Sequence, residues 1–147
     1  MLIRDADLSD LQDIFEWRND AFSRSMSVSS NTFTLNEHTD WYQRTLNNPL
    51  KKIYVGTDGG FKVGVVRFEL NVDFNISEVS INLNPDFRGK GYGFTLLSQS
   101  IVLYRQNNKN TLRAIVKREN IASLKIFEKS DFHKEFEDDA FYRLTRN

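Results

Sequence analysis

Arg88-Gly89-Lys90-Gly91-Tyr92-Gly93 lies between a strand that ends near Asn84-Pro85 and an apolar-periodic helix that begins near Phe94, and its reading governs the rest of the chain. A glycine-rich turn that feeds a helix N-terminus is an anion site. Free backbone N–H groups and the positive end of the helix dipole face the same point, and glycine lets a phosphate reach the main chain. Two glycines at fixed spacing arise by chance at about 1 position in 200, so the setting has to carry the argument. Two better-known phosphate loops are excluded. A Walker A loop needs Ser or Thr after Gly-Lys, and Gly91 follows Gly89-Lys90; the dinucleotide fingerprint needs a third glycine where Leu96 stands. What remains is Arg-x-x-Gly-x-Gly.

Outward from this loop the chain alternates short strands and helices. Leu2 to Ala6 reads as a strand, and Asp7 caps a helix with Leu8, Leu11, Ile14 and Phe15 on one face. Asp20 to Phe33 holds five serines without a period and reads as an exposed loop. Thr34-x-x-Glu37 is a capping box opening a helix with Trp41, Tyr42 and Leu46, which stops at Asn47-Asn48-Pro49. Lys52 to Thr57 and Phe61 to Leu70 form a hairpin about Asp58-Gly59-Gly60, and Ser77 to Asn84 is a third long strand. After the loop, Phe94, Leu97, Ile101 and Tyr104 keep helical spacing. Leu112 to Val116 is a strand, Ile121 to Lys129 a helix, and Phe132 to Phe136 with Phe141 to Leu144 a closing hairpin. The order predicts one α/β (α+β) domain over residues 1–147: a single mixed, mostly antiparallel sheet flanked by four helices.

Twenty basic residues balance twenty acidic ones in 147, which removes any general attraction to nucleic acid or to a membrane surface. The absence of cysteine rules out disulfides, a thiol nucleophile and thiolate metal sites. Met1 to Asp7 turns acidic at once, unlike a signal peptide, and no run reaches membrane-spanning length, so a cytoplasmic protein without a metal is expected.

The element order, Arg88-x-x-Gly91-x-Gly93 and Asn120-x-x-Ser123-x-x-x-Phe127-Glu128-Lys129-x-x-Phe132 together resemble the GNAT superfamily of N-acetyltransferases over nearly the whole length. The resemblance implies acetyl-coenzyme A (acetyl-CoA) as co-substrate. Its pyrophosphate would lie on the backbone of Arg88, Gly89, Lys90, Gly91, Tyr92 and Gly93, and its pantetheine along Ser77 to Asn84. It also implies oxyanion donors at a bulge near Ile81, Asn82 and Leu83, and a bond from Asn120 to the coenzyme beside the N-capping role its position already gives it, with Ser123 in the same helical turn. Trp17-Arg18-Asn19, Arg24, Met26, Glu37-His38 and Trp41 resemble, more narrowly, acetyltransferases that modify amino-sugars on nucleotide carriers, of the pseudaminic-acid pathway type. Protein N-terminal or ribosomal-protein amines and polyamines are the alternative acceptors, and a coenzyme-binding module without catalysis is the alternative from another class. The protein is expected as a monomer or homodimer, with Lys134 and Arg143 blunting the edge of the closing hairpin against pairing between subunits.

Direct attack of a neutral amine on a thioester needs a base for the amine, donors for the oxyanion and a proton for the leaving sulfur. Glu78 and Glu69 are the leading bases, with solvated strand-end charges as the alternative reading. His38 is a third, although a surface histidine is the more ordinary reading. Trp17 and Trp41 read first as packing residues, and Arg18 and Arg24 as grips for an anionic substrate. Two positions depart from the family. Phe127 stands where many members place a proton-donating tyrosine, leaving Tyr104, Tyr142, Ser123 or water as substitutes. Asp131 stands where a glycine is usual, at a left-handed position that Asp tolerates.

Overall fold

The computed structural model describes residues 1–29 and 31–147. Its strands are β1 (Leu2–Asp5), β2 (Lys51–Asp58), β3 (Phe61–Asn71), β4 (Ile76–Leu83), β5 (Thr111–Lys117), β6 (His133–Glu137) and β7 (Phe141–Arg146). They form one sheet in the order β1-β2-β3-β4-β5-β7-β6. Every neighbouring pair is antiparallel except β4 and β5. The helices are α1 (Leu11–Asn19), α2 (Ala21–Met26), α3 (Leu35–Leu46), α4 (Tyr92–Tyr104) and α5 (Ile121–Lys129).

The period-two alternation of the strands divides the core between the two faces. Tyr54, Val66, Phe68 and Val79 meet Leu96, Leu97 and Ile101 of α4 and Leu124 and Phe127 of α5. On the other face Ile53, Val55 and Val65 meet Ile14 and Trp17 of α1 and Tyr42 of α3. The capping box of α3 is present, with the Thr34 hydroxyl accepting from the Glu37 N–H at 3.1 Å and a Glu37 oxygen accepting from the Thr34 N–H at 3.2 Å. Asp131 takes the left-handed conformation at φ 67°.

Three expectations are corrected. Among the described residues there are five helices, because Ala21–Met26 lies within the segment read as an exposed loop; Ser30 of that segment falls outside them. Asp20 caps α2 by accepting from the Ser23 N–H at 3.0 Å, but the helix buries no residue, so hydrophobic period could not announce it. Asp7 caps a 3-10 turn, Leu8–Asp10, and leaves Leu8 exposed, so α1 proper starts at Leu11. Arg143 does not guard a sheet edge, since β7 is an inner strand between β5 and β6.

The parallel pair is where the sheet opens. Ile76, Ser77 and Glu78 pair with Thr111, Leu112 and Arg113, and there the pairing stops although both strands continue. β3 follows β4 as far as Leu83, and β7 follows β5 as far as Lys117, so each diverging strand is fixed by its outer neighbour.

Asp10 ties β1, α1 and β3 together from a fully buried position. Arg4 donates to its two oxygens at 2.7 and 2.8 Å, and Lys62 lies 2.9 Å away. Burial opposes its ionised form, but the bonds from Arg4, the Asp7 N–H and Lys62 outweigh that and hold the carboxyl well below its ordinary value of 3.8. Because the folded value is the lower one, this stabilisation is complete above about pH 4 and is lost as the pH falls below it. Asp10→Asn should cost about 3 kcal/mol in urea denaturation at neutral pH. It should also flatten the loss of stability of the parent protein below about pH 4.

Candidate active site

At the C-terminal end of β4 the chain passes through a 3-10 turn, Pro85–Phe87, into the glycine loop. Gly89 and Gly91 stand at φ 71° and 81°, and an added Cβ at either would meet nothing within 4 Å. Gly91 is the N-cap of α4 and supplies no side chain to its orphan donors. The N–H groups of Gly89 to Gly93 bond neither to a side chain nor to a neighbouring segment among the described residues. This is an open backbone cradle at a helix N-terminus, and it fits a pyrophosphate. Gly93 has a different reason to be glycine: a Cβ there would come 2.5 Å from Ile126 Cδ1, so it lets α4 approach α5.

Arg88 is not free for a phosphate. Its guanidinium lies 2.5 Å from Asp20 and 2.7 Å from the Ser23 hydroxyl, and 4.8 Å from the Phe22 ring centroid. Lys90 is exposed beside Phe87, while the Tyr92 hydroxyl bonds toward Asp58, which raises its pKa.

From the cradle the free edge of β4 runs back to Glu78, about 16 Å at a strand's ordinary rise. Ile81, Asn82 and Leu83 keep an unbroken register with Val66, Val65 and Gly64. The bulge expected there is therefore absent; the register shift in this part of the sheet lies at Gly56/Thr57, between β2 and β3. Donors on this edge come from the divergence of β5 rather than from a bulge. The Asn82 side chain accepts from the Ser23 hydroxyl at 3.0 Å. On α5, Asn120 is the N-cap, accepting from the Ser123 N–H at 3.2 Å, and Phe127 is buried edge-on against Phe132 at 5.0 Å. Tyr104 is buried at the far end of α4, its hydroxyl 2.7 Å from Ser77, away from the opening.

Glu78 and Glu69 face each other across β4 and β3 at the vertex of the opening. Arg113 holds Glu78 Oε1 at 2.8 Å, and Lys51 holds Glu69 at 3.4 Å. His38 is not on the surface. It is fully buried, with Nε2 2.9 Å from the Leu11 carbonyl and Nδ1 3.0 Å from Arg18. The carbonyl can only accept, so Nε2 carries the proton and Nδ1 accepts from Arg18. Burial and then the Arg18 charge lower its pKa against the pull of Leu11, which keeps the ring neutral.

Trp17-Arg18-Asn19 divides into three tasks. Trp17 is buried in the core under α1. Asn19 exchanges two 2.9 Å hydrogen bonds with the Phe33 backbone and so sets that ring beside Arg18. The Arg18 guanidinium lies 3.8 Å from the Phe33 centroid and 4.0 Å from that of Trp41. Burial, with the charge of Arg67, brings its pKa down to about 10. Arg24 turns back to the Asn19 carbonyl at 3.1 Å, and Glu37 is spent on the cap of its own helix.

Sequence reasoning missed Asp20 and Ser23, which join the cradle to α2, and Arg67 of β3. A signal existed for each. Asp20-x-x-Ser23 has N-cap spacing, and alternation puts Arg67 on the face of the buried Val65, where a lone arginine calls for a partner.

The fold and the cradle together define an acyltransferase that binds a coenzyme A thioester, and the comparisons agree. Residues 1–133 match the acetyltransferase (GNAT) domain family, and the chain belongs to it. The protein is an acetyl-CoA-dependent N-acetyltransferase. The acetyltransferase PseH of Campylobacter jejuni subsp. jejuni is 26% identical over 133 residues, covering 89% of this chain and 82% of that protein. Spermidine N-acetyltransferase from Vibrio cholerae, solved with CoA and spermine, superposes with a TM-score of 0.86 at 19% identity, covering 99% of this chain and 94% of that one. A putative acetyltransferase from Salmonella typhimurium, solved with acetyl-CoA, gives 0.84 at 22% identity, covering 100% and 93%. Among the described residues, no group of three His, Cys, Asp or Glu side chains is placed to hold a metal, and no helix is long and apolar enough to cross a membrane.

Gly91→Ala forces a Cβ onto a left-handed N-cap, a strain of about 1 to 2 kcal/mol. Calorimetric titration should show CoA affinity falling about tenfold with the fold retained.

Proposed function

We propose that this N-acetyltransferase acts on the primary amine of an anionic acceptor, most specifically an amino-sugar carried on a nucleotide. The observation that carries this reading is the state of the charges on the acceptor side. Glu69, Glu78 and Asp20 are each held by a cation, whereas Arg18 has no carboxylate within 4 Å among the described residues. A polyamine site needs free carboxylates, and this face offers guanidinium groups instead. The likeness to the Campylobacter acetyltransferase supports the same direction. The likeness to the spermidine enzyme is one of fold.

When bound, acetyl-CoA supplies an acetyl group activated as a thioester. Gly89 to Gly93 hold its pyrophosphate, and the free edge of β4 from Val79 to Leu83 lines its pantetheine arm. Asn120 of α5 adds a side-chain bond from the other wall, and Ser123 lies in the same turn. Glu78 is the base. Arg113 fixes one carboxylate oxygen, and the other takes the amine proton directly or through a water. Glu69, one strand further from the opening, is electrostatic support, and His38 is not a base because both its nitrogens are engaged. Phe127 donates no proton. The leaving sulfur, a thiol of pKa about 8.5 when free, departs with help from Ser123, Tyr142 or solvent.

Thiol release with a panel of amines tests this. UDP- or dTDP-linked amino-sugars should turn over faster than spermidine and N-terminal peptides; activity confined to spermidine would refute the acceptor assignment. Glu78→Gln should lower kcat by about 10²- to 10⁴-fold, with its effect greatest at low pH, where deprotonating the amine is hardest. An unchanged kcat would remove Glu78 as the base.

A further inference from the structure

Arg67 projects from β3 on the same sheet face as Glu78, opposite Ser80 on the diverging half of β4. Its guanidinium carbon lies 5.2 Å from the centroid of the Trp41 ring that also packs on Arg18. Among the described residues neither arginine has a carboxylate within 4 Å. The acids nearby are committed elsewhere: Asp10 and Asp13 to Lys62, Glu69 to Lys51, Glu78 to Arg113, Asp20 to Arg88. Two half-buried guanidinium groups around one indole, each without a counter-ion, repel one another and lose hydration. The rings of Phe33 and Trp41 and the charge of Glu69 offset part of that cost, but no carboxylate pairs with either group among the described residues. Both are nevertheless held in place. Arg67 Nε donates to the Ser80 hydroxyl at 3.2 Å, and among the described residues its two terminal NH2 groups have no hydrogen-bond partner. Arg18 spends one terminal nitrogen on His38, and Phe33, fixed by Asn19, packs beside it.

Resting on the acceptor reading above, we propose that Arg67 and Arg18, held around Trp41, form an oxyanion clamp that binds the acceptor's own phosphate or carboxylate and so sets specificity. The clamp stands beside Ser80, one residue from Ile81 on the open edge, so an acceptor held there presents its amine toward the gap. A guanidinium fork with free terminal nitrogens matches a tetrahedral phosphate or a planar carboxylate by two parallel bonds. Trp41 acts as the rigid wall that keeps both forks in place and is not a platform for the acceptor. His38, neutral and accepting from Arg18, is a positioning residue: a protonated ring would turn Arg18 away.

The test uses protein saturated with CoA, so that the glycine cradle is filled before any second anion is added. Calorimetric titration with UDP supplies the phosphate arm and titration with glutamate the carboxylate arm. The clamp predicts saturable binding in at least one arm, weakened about tenfold or more by Arg67→Met and partly restored by Arg67→Lys, with CoA affinity unchanged in both variants. In turnover, Arg67→Met should raise KM for the acceptor bearing that anion about tenfold, and by more than it changes KM for an alkylamine that carries no anion. Binding of glutamate but not UDP would keep the clamp and overturn the nucleotide-sugar assignment. Failure of both to bind the CoA-loaded protein, or equal binding to parent and Arg67→Met, would overturn the clamp even if acetyl transfer is observed.

Discussion

The structure turns on a pairing that ends early. β4 and β5 are joined through Glu78 and Arg113 and then part, and the Glu78–Arg113 ion pair closes the vertex with one bond on the site side of the sheet. A parallel pair in mid-sheet would normally satisfy both backbones along its length. Here the outer neighbours hold each strand to its end, so the edge of Val79 to Leu83 that faces β5 cannot close up with it. The cost is a row of main-chain groups without strand partners. The return is a slot with hydrogen-bonding groups along one wall, a helix N-terminus at its mouth and a carboxylate at its base.

α2 shows how little of such a site depends on apolar burial. The helix has six residues and buries none, yet it touches both sides of the slot and the cradle. Ser23 reaches Asn82 on β4, Lys117 on β5 reaches the Ser25 carbonyl at 3.0 Å, and Arg88 reaches Asp20. Each contact joins residues far apart in sequence, so α2 exists where it does because the sheet and the loop are already in place. Such an element sits at the low end of local stability, as segments that must admit a substrate do. Through Asp20 and Ser23, which hold Arg88, it is also tied to the glycine loop.

The parts legible in the sequence are those with a local or periodic cause. The sheet and four of the five helices follow from alternation, helical spacing and caps such as Thr34-x-x-Glu37, and the cradle follows from glycines placed before a helix. Asp131 was readable from the resemblance, because a glycine is usual at that position in the family and Asp tolerates the φ of 67° found there. The parts that stayed hidden are made of contacts across sequence. His38 has the composition of a surface histidine, and only the carbonyl of Leu11 and the guanidinium of Arg18 show it to be buried and neutral. Arg88 belongs to a phosphate motif by spacing, yet Asp20, 68 positions away, takes its charge. Arg67 had one available sign, an arginine among buried valines, and its partners lie on other elements.

Phe127 fits this division of labour. It packs against Phe132 in the core under α5, a place where a tyrosine hydroxyl would need a hydrogen-bond partner to be tolerated. Tyr104 cannot replace it, since its hydroxyl is bound to Ser77 in the closed half of the sheet. With no tyrosine at that position, more of the rate enhancement falls to holding two substrates in line. Positioning can supply much of a barrier by itself, about 7 to 11 kcal/mol in well-oriented reactions. A site that relies on it needs rigid grips at both ends of the reacting pair. In the proposed reading the backbone cradle is one such grip, and the arginines fixed by Trp41, Ser80 and His38 are the other.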